Sequence, residues 1–213
     1  MQQQQLEIVY QRLYRAYGPQ HWWPGDTPFE VMIGAVLTQN TAWPNVEKAI
    51  ANLKAADCFD AEKINKLSNT RLAELIRPSG YFNIKAKRLK NLCCWIIEQD
   101  GIETLSRLDT AVLRDSLLAI NGVGPETADD ILLYGFQRPV FVIDTYTRRL
   151  FSRFSLIKGD EHYETLRGWF EAALEPDVLL YNEYHALIVR HAKEKCTENS
   201  HCVHCQVEAD LES

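Results

Sequence analysis

The sequence has little that points to strands, membranes or secretion. No apolar run approaches the length of a membrane span, and the polar N-terminus does not resemble a signal peptide. Alternating apolar and polar residues, which indicate half-buried strands, are scarce, internal repeats are not visible, and low-complexity sequence is limited to Gln2–Gln5. We therefore expect a cytoplasmic protein built almost entirely from helices.

Basic residues are also in deficit. The 23 Lys and Arg against 29 Asp and Glu give a net charge of −6, which taken alone argues against nucleic acid as a partner, because phosphate-binding proteins tend to be basic. Locally the balance differs, since two segments are basic: Arg77, Lys85, Lys87, Arg88 and Lys90, and then Arg138, Arg148, Arg149 and Arg153. The first segment is either a phosphate-binding surface or an ordinary solvated helix face.

Helical spacing of apolar residues covers most of the chain, and apolar residues make up 46% of it, enough for a core. Helices are predicted from Leu6 to the Gly18-Pro19 stop and from the Thr27-Pro28 start to Leu37. Val140–Ile143 is too short to define a sheet, so the predicted fold class is all-α. Further helices are predicted at 44–54, 60–66, 69–77, 83–99, 110–120, 126–136, 144–154, 160–173 and 177–195.

The segment Gly122-Val123-Gly124 joins an apolar helix end at Ile120 to a helix that begins at Pro125. This pattern predicts a helix–hairpin–helix, in which both glycines adopt positive φ and leave the backbone amides accessible. Free N–H groups at a helix start attract a phosphate. The candidate DNA-backbone contacts are Ile120, Gly122, Val123, Gly124 and Glu126; a plain αα-hairpin is the alternative.

Asp144 follows the hairpin by twenty residues, directly after the apolar run Val140–Ile143 and before a helix start. It is either a simple N-cap or a cap that also presents its carboxylate to a cleft. At this point the chain resembles the endonuclease III-like helix–hairpin–helix (HhH-GPD) superfamily of DNA glycosylases over roughly residues 20–205. The resemblance implies that Asp144 is catalytic and stabilises the positive charge that develops on the sugar when a base is excised.

The resemblance also implies an architecture and a partner. A single unit over residues 1–213 would contain a central helical lobe, 24–137, and a second helical lobe made of 1–23 and 138–195. The active-site cleft would lie between these lobes, and residues 196–213 would form a cysteine-containing loop. The expected partner is double-stranded DNA with a damaged base, bound by a monomer that has no membrane association.

Two positions decide the branch of the superfamily. Relatives that cut the backbone carry a lysine two residues after the second hairpin glycine, but this chain has Glu126, which cannot form an imine. Ala35 stands where the adenine glycosylase branch needs a glutamate. Residues 22–24, 34–41 and 77–89 match the 3-methyladenine DNA glycosylase branch, which implies a monofunctional enzyme for alkylated purines. A glycosylase and lyase for oxidised pyrimidines and a non-catalytic DNA-binding module are the alternatives.

A pocket for an alkylated base follows from the same resemblance. A purine alkylated on the ring is cationic, so aromatic faces hold it and no strong general acid is needed. Trp43, with Trp22 or Trp23, is the candidate stacking set, unless these rings simply fill the core. Asn40 and Gln39 are the candidates for a wedge that fills the gap left by the flipped base, although they could also only cap a helix.

The cysteines that cluster lie at the C-terminal end, with Cys196, Cys202 and Cys205 in the spacing Cys-x5-Cys-x2-Cys. Endonuclease III-like relatives end in four cysteines that ligate a [4Fe–4S] cluster, but here the first gap is one residue short and the fourth ligand is not identified, with Leu211 in its place. His201, His204 and Asp210 lie nearby. An iron–sulfur cluster, a zinc site or an empty loop therefore stay open.

Overall fold

The computed structural model describes residues 3–196, which form twelve α-helices and no strand. The all-α prediction is confirmed, and none of the described helices is long and apolar enough to cross a membrane. The helices are Gln3–Tyr17 (α1), Pro28–Thr38 (α2), Trp43–Ala55 (α3), Ala61–Lys66 (α4), Asn69–Leu75 (α5), Phe82–Glu98 (α6), Ile102–Leu105 (α7), Thr110–Leu118 (α8), Pro125–Asp130 (α9), Thr145–Arg153 (α10), Tyr163–Ala173 (α11) and Val178–Glu194 (α12).

The described chain folds into two compact units. One, which we call the hairpin unit, is Trp23–Gln137, and the other, the Asp144 unit, contains the chain up to Trp22 and from Arg138 onward. In the hairpin unit, α2 is apolar nearly all round, and Met32 and Ile33 are fully buried. Thr27 starts this helix as predicted, because its hydroxyl accepts a hydrogen bond from the amide of Glu30 at 3.1 Å.

The helix after the hairpin differs from its prediction over residues 126–136. It begins as α9 and continues as a π-helical turn over Ile131–Gly135, where the amide of Phe136 reaches back five residues to the carbonyl of Ile131. The wider turn accommodates one extra residue, and all five of its residues are buried. Apolar spacing does not reveal such a turn, since the local period changes over only one turn of helix.

The Asp144 unit is built around stacked aromatic rings. Phe141 stacks on Phe170 with ring centroids 4.4 Å apart, and Phe151 meets Phe170 edge-on at 4.9 Å. Tyr184 of α12 is also buried and donates its hydroxyl proton to the carbonyl of Leu6 in α1 at 2.8 Å. This hydrogen bond joins the N-terminal helix to the C-terminal part of the chain.

Val140–Ile143 is extended and buried but pairs with no strand in the described residues. Side chains satisfy its amides instead: Phe141 N donates to Glu171 Oε1 at 3.0 Å, and Ile143 N donates to Tyr163 Oη at 3.4 Å. Buried backbone groups need partners, and these contacts from α11 supply them. The chain is thereby fixed directly before Asp144.

Replacing Phe170 with alanine removes the ring at the centre of this aromatic cluster. We expect Phe170→Ala to lower the free energy of unfolding by about 3–5 kcal/mol, because the lost burial is accompanied by a cavity. Denaturant unfolding followed by circular dichroism measures the change. Trp169→Ala, at the neighbouring position of α11 where the ring is 39% exposed, should cost less than about 1 kcal/mol. Equal losses for the two variants would contradict this description of the core.

Candidate active site

Asp144 is the N-cap of α10 and also faces α12. Its Oδ1 accepts a hydrogen bond from the amide of Thr147 at 2.7 Å, the usual capping geometry. Its Oδ2 lies 3.4 Å from Nε2 of His185. The residue is only 8% exposed, so the same side chain caps the helix and carries a carboxylate that is shielded from water.

The charge state of Asp144 reflects two opposing effects. Burial by itself would raise the pKa of the carboxyl group, but the nearby imidazole of His185 and the amide hydrogen bond from Thr147 outweigh it and leave the pKa of Asp144 lowered. The group is therefore ionised at neutral pH although water scarcely reaches it. A carboxylate in such surroundings can stabilise a positive charge that develops beside it.

His185 was not among the residues predicted from the sequence. It lies on α12, far along the chain from Asp144, and no local motif links the two positions. The available signal was indirect: Asn182, His185 and His191 place polar groups on the buried face of this helix. Buried polar side chains at helical spacing indicate a specific partner.

The hairpin of the sequence analysis is present between α8 and α9. Gly122 has φ +102°, and a Cβ there would overlap the side chain of Arg88, so both conformation and space require glycine. The predicted positive φ is wrong for Gly124, which is an extended N-cap at φ −95°. A Cβ on Gly124 would meet no atom within 4 Å, because this glycine borders open space.

The other hairpin residues are either buried in the core or exposed at the surface. Ile120 and Val123 are only 7% and 6% exposed, so their side chains hold the hairpin in the core and only their backbone can meet a ligand. Glu126 is exposed in the first turn of α9, where an acidic side chain complements the helix dipole.

The loop after α2 holds the two predicted wedge residues in different environments. Gln39 is bound within the hairpin unit: its Nε2 donates to the carbonyl of Gly122 at 3.1 Å and to Thr127 Oγ1 at 2.9 Å, and its Oε1 accepts from Arg88 Nη1. Asn40 is exposed in the left-handed region at φ +53°. The amide of Gln39 therefore connects the loop to the hairpin.

The lysines of the first basic segment lie in different environments: Lys85 is buried, with 1% of its surface exposed, whereas Lys87 is exposed. The buried ammonium donates hydrogen bonds at 2.7 Å to three oxygens, those of Leu37 O, Thr41 Oγ1 and Ser79 O. Burial, assisted by the charge of Arg88, lowers the pKa of Lys85 to about 8. Its hydrogen bonds join the loop after α2 to the turn before α6, a role that the sequence analysis did not identify.

Tyr81 is a surface residue that was not among the predicted site residues. It follows the Ser79-Gly80 turn at φ +44°, and 68% of its surface is exposed. A bulky residue in the left-handed region is uncommon and indicates a backbone that its neighbours hold in place. An exposed aromatic ring on such a backbone is well placed to contact a ligand.

None of the three candidate tryptophans is buried. Trp22 and Trp23 are 38% and 39% exposed, and Trp23 packs edge-on against Tyr134 with centroids 6.0 Å apart. Trp43 is half-buried and lies across Gly34, where a Cβ would come within 3.4 Å of the ring. Its indole N–H donates to Glu47 at 3.0 Å. Each ring keeps a surface on which another ring could stack.

Of the predicted metal ligands, only Cys196 lies within the described residues; Cys202 and Cys205 lie outside them. Cys196 is buried, and its Sγ accepts a hydrogen bond from Arg153 Nη1 at 2.9 Å. Over residues 3–196, no group of three or more His, Cys, Asp or Glu side chains is arranged to hold a metal ion. The described residues therefore do not form a cluster site by themselves.

Comparison with known proteins identifies the family. The family model of the HhH-GPD superfamily base excision DNA repair proteins matches residues 33–176. A protein of Methanocaldococcus jannaschii, provisionally named a DNA repair glycosylase, is 46% identical over 97% of both chains. The endonuclease III of Sulfolobus acidocaldarius is 29% identical over 79% of this chain and 74% of that protein.

Solved structures agree in fold. The 3-methyladenine DNA glycosylase MagIII of Helicobacter pylori, bound to 1,N6-ethenoadenine, is similar with a TM-score of 0.76 and 33% identity, over 90% of this chain and 98% of that one. A complex of endonuclease III with DNA superposes with a TM-score of 0.82 at 19% identity, over 97% and 94% of the two chains, which shows the shared fold alone. The resemblance predicted from the motifs is confirmed: the chain belongs to the HhH-GPD superfamily of base excision DNA repair proteins, as one of its DNA glycosylases.

Proposed function

We propose that this glycosylase hydrolyses the N-glycosidic bond of alkylated purines in duplex DNA and does not cut the backbone. The observation that carries the proposal is the carboxylate of Asp144, ionised although it is shielded from water. Cleavage of the glycosidic bond leaves positive charge on the sugar, and a fixed anion nearby lowers the energy of that transition state. The same anion orients the attacking water.

Alkylated purines fit the remaining chemistry as substrates. A base alkylated at a ring nitrogen is already cationic, so the leaving group needs no strong acid to protonate it. Trp22, Trp23 and Trp43 keep partly exposed rings, and electron-rich rings attract a desolvated cation. The similar H. pylori enzyme is named for 3-methyladenine and holds 1,N6-ethenoadenine, a purine with an added ring, which supports the same class of base here.

The hairpin unit supplies the proposed contacts to duplex DNA. Backbone amides around Gly122 and Gly124 would bind a phosphate, because no side chain stands over Gly124. Asn40 and Tyr81 project from left-handed backbone and are exposed, so we assign them to the disturbed base pair. Gln39 would join them only after breaking its hydrogen bonds to the hairpin. A monomer bound to one lesion suffices for this arrangement.

The proposal that the enzyme does not cut the backbone depends on whether a lysine amine is available to attack the sugar. Lyase chemistry needs an accessible amine that attacks the sugar, but the position after the hairpin carries Glu126. Lys85 cannot replace it, because its ammonium is 1% exposed and binds three oxygens inside the fold. Abasic sites would therefore be left uncut, and borohydride would trap no covalent adduct.

The variant Asp144→Asn tests the proposed catalytic carboxylate. Asparagine is also a good N-cap, so the fold should persist while the negative charge is lost. We expect single-turnover release of methylated purine to fall by at least about 100-fold, with nearly unchanged affinity for the same DNA.

Asp177→Asn is the matched control, because Asp177 caps α12 through the same contact, with Leu180 N at 2.7 Å. That variant should excise at the wild-type rate. If Asp144→Asn keeps full activity, Asp144 is a cap and nothing more.

Lys85→Met tests how the DNA-facing loops are held. Without the ammonium, buried oxygens of Leu37 and Ser79 lose a donor, and we expect the free energy of unfolding to fall by about 1–3 kcal/mol. DNA binding should weaken with an unchanged salt dependence, since a buried cation releases no counterion.

The control Lys87→Met, on the exposed face of α6, should change stability little. If Lys87 contacts a phosphate, its loss reduces the slope of log affinity against log salt by about 1. A reduced salt slope for Lys85→Met would contradict the role of Lys85 as an internal connection.

A further inference from the structure

His185 and Asp144 form a buried pair that comes from distant parts of the sequence. Their relative exposures are 5% and 8%, and Nε2 of His185 lies 3.4 Å from Oδ2 of Asp144. The other carboxylate oxygen, Oδ1, accepts the amide proton of Thr147 at 2.7 Å. Each oxygen of Asp144 therefore has its own partner, one from α10 and one from α12.

Two partners constrain the carboxylate in a way that one cannot. The terminal torsion of an aspartate is broad, so a cap hydrogen bond to Oδ1 alone would leave the plane of the group free to swing. A second partner on Oδ2, carried by another helix, fixes that plane. Catalysis by a charged group depends on such fixed orientation, because small displacements from the reacting atoms cost rate.

We propose that His185 is the positioning residue of Asp144: its Nε2–H holds Oδ2 so that the carboxylate keeps the orientation needed beside the sugar. The inference rests on the function proposed above for Asp144 and adds a residue to that site. It requires the proton on Nε2, which both the imidazolium and one neutral tautomer provide. His185 itself need not touch DNA, since it acts through the carboxylate.

The competing explanation is that His185 is an ordinary core histidine, and the same helix offers a matched comparison. His191, also on α12, is 3% exposed, and its Nδ1 lies 2.9 Å from the hydroxyl of Tyr17. Substituting it disturbs the same helix through a buried histidine that contacts Tyr17. A purely structural role would make His185 and His191 variants behave alike.

The experiment compares His185→Ala, His185→Gln and His191→Gln with the wild type. Glutamine is the conservative choice because its Nε2 stands the same number of bonds from the backbone as Nε2 of histidine. For each protein, three quantities are measured: the single-turnover rate of base release from a duplex with one alkylated purine, the dissociation constant for that duplex, and the midpoint of thermal unfolding.

We expect His185→Ala to slow base release by about 10- to 100-fold while the dissociation constant stays within about twofold. His185→Gln should recover most of the rate, because it restores an N–H donor to Oδ2. His191→Gln should release base at the wild-type rate whatever its thermal midpoint.

Three results would overturn the proposal: a normal rate for His185→Ala, a rate loss that glutamine does not restore, or equal rate losses at His185 and His191. Failure of the proposed function looks different, because then the wild-type protein itself would release no alkylated purine. The rate of the wild-type protein therefore distinguishes a wrong role for His185 from a wrong assignment of the activity.

Discussion

The hairpin unit depends on one buried cation. Lys85 has no carboxylate among its three hydrogen-bond partners, and the oxygens of Leu37, Thr41 and Ser79 replace its water. Burying a charge is unfavourable unless it is fully hydrogen-bonded, so these segments must converge on the ammonium for it to be accommodated. Arg88, one turn later on α6, extends the same arrangement through Gln39 to the hairpin. The surfaces proposed to face DNA are thus held in place from inside the hairpin unit.

The Asp144 unit buries a charge of the opposite sign and also surrounds it with polar groups. Here the buried group is an anion: the amide of Thr147 donates a hydrogen bond to Oδ1, and Nε2 of His185 lies 3.4 Å from Oδ2, so that the pKa of the carboxyl group is lowered. Directly before it, the amides of Phe141 and Ile143 donate to side chains of α11. A carboxylate held in this way can stabilise a developing positive charge without any reorganisation of solvent, which is the main advantage of an enzyme site over water. The catalytic proposal therefore follows from the local packing and does not depend on a metal or a cluster.

Features with local causes could be predicted from the sequence, and features with distant causes could not. Thr27 and Asp144 cap helices because a capping side chain needs only the next three residues. The π-helical turn, the fixed amide of Gln39 and the roles of Lys85 and His185 all need partners far along the chain. Gly124 shows a further limit: glycine permits positive φ but does not require it, and this one is extended. The family resemblance likewise indicated aromatic candidates without showing which of their surfaces stay exposed.

The proposed removal of alkylated purines by hydrolysis is tested most directly by chromatography of the bases that the wild-type protein releases from methylated duplex DNA. Strand breaks are scored in the same samples before and after alkali. We expect free methylated purine, with breaks that appear only after alkali cleaves the abasic sites. Breaks without alkali would contradict the monofunctional mechanism, and the absence of any released purine would contradict the assigned substrate class.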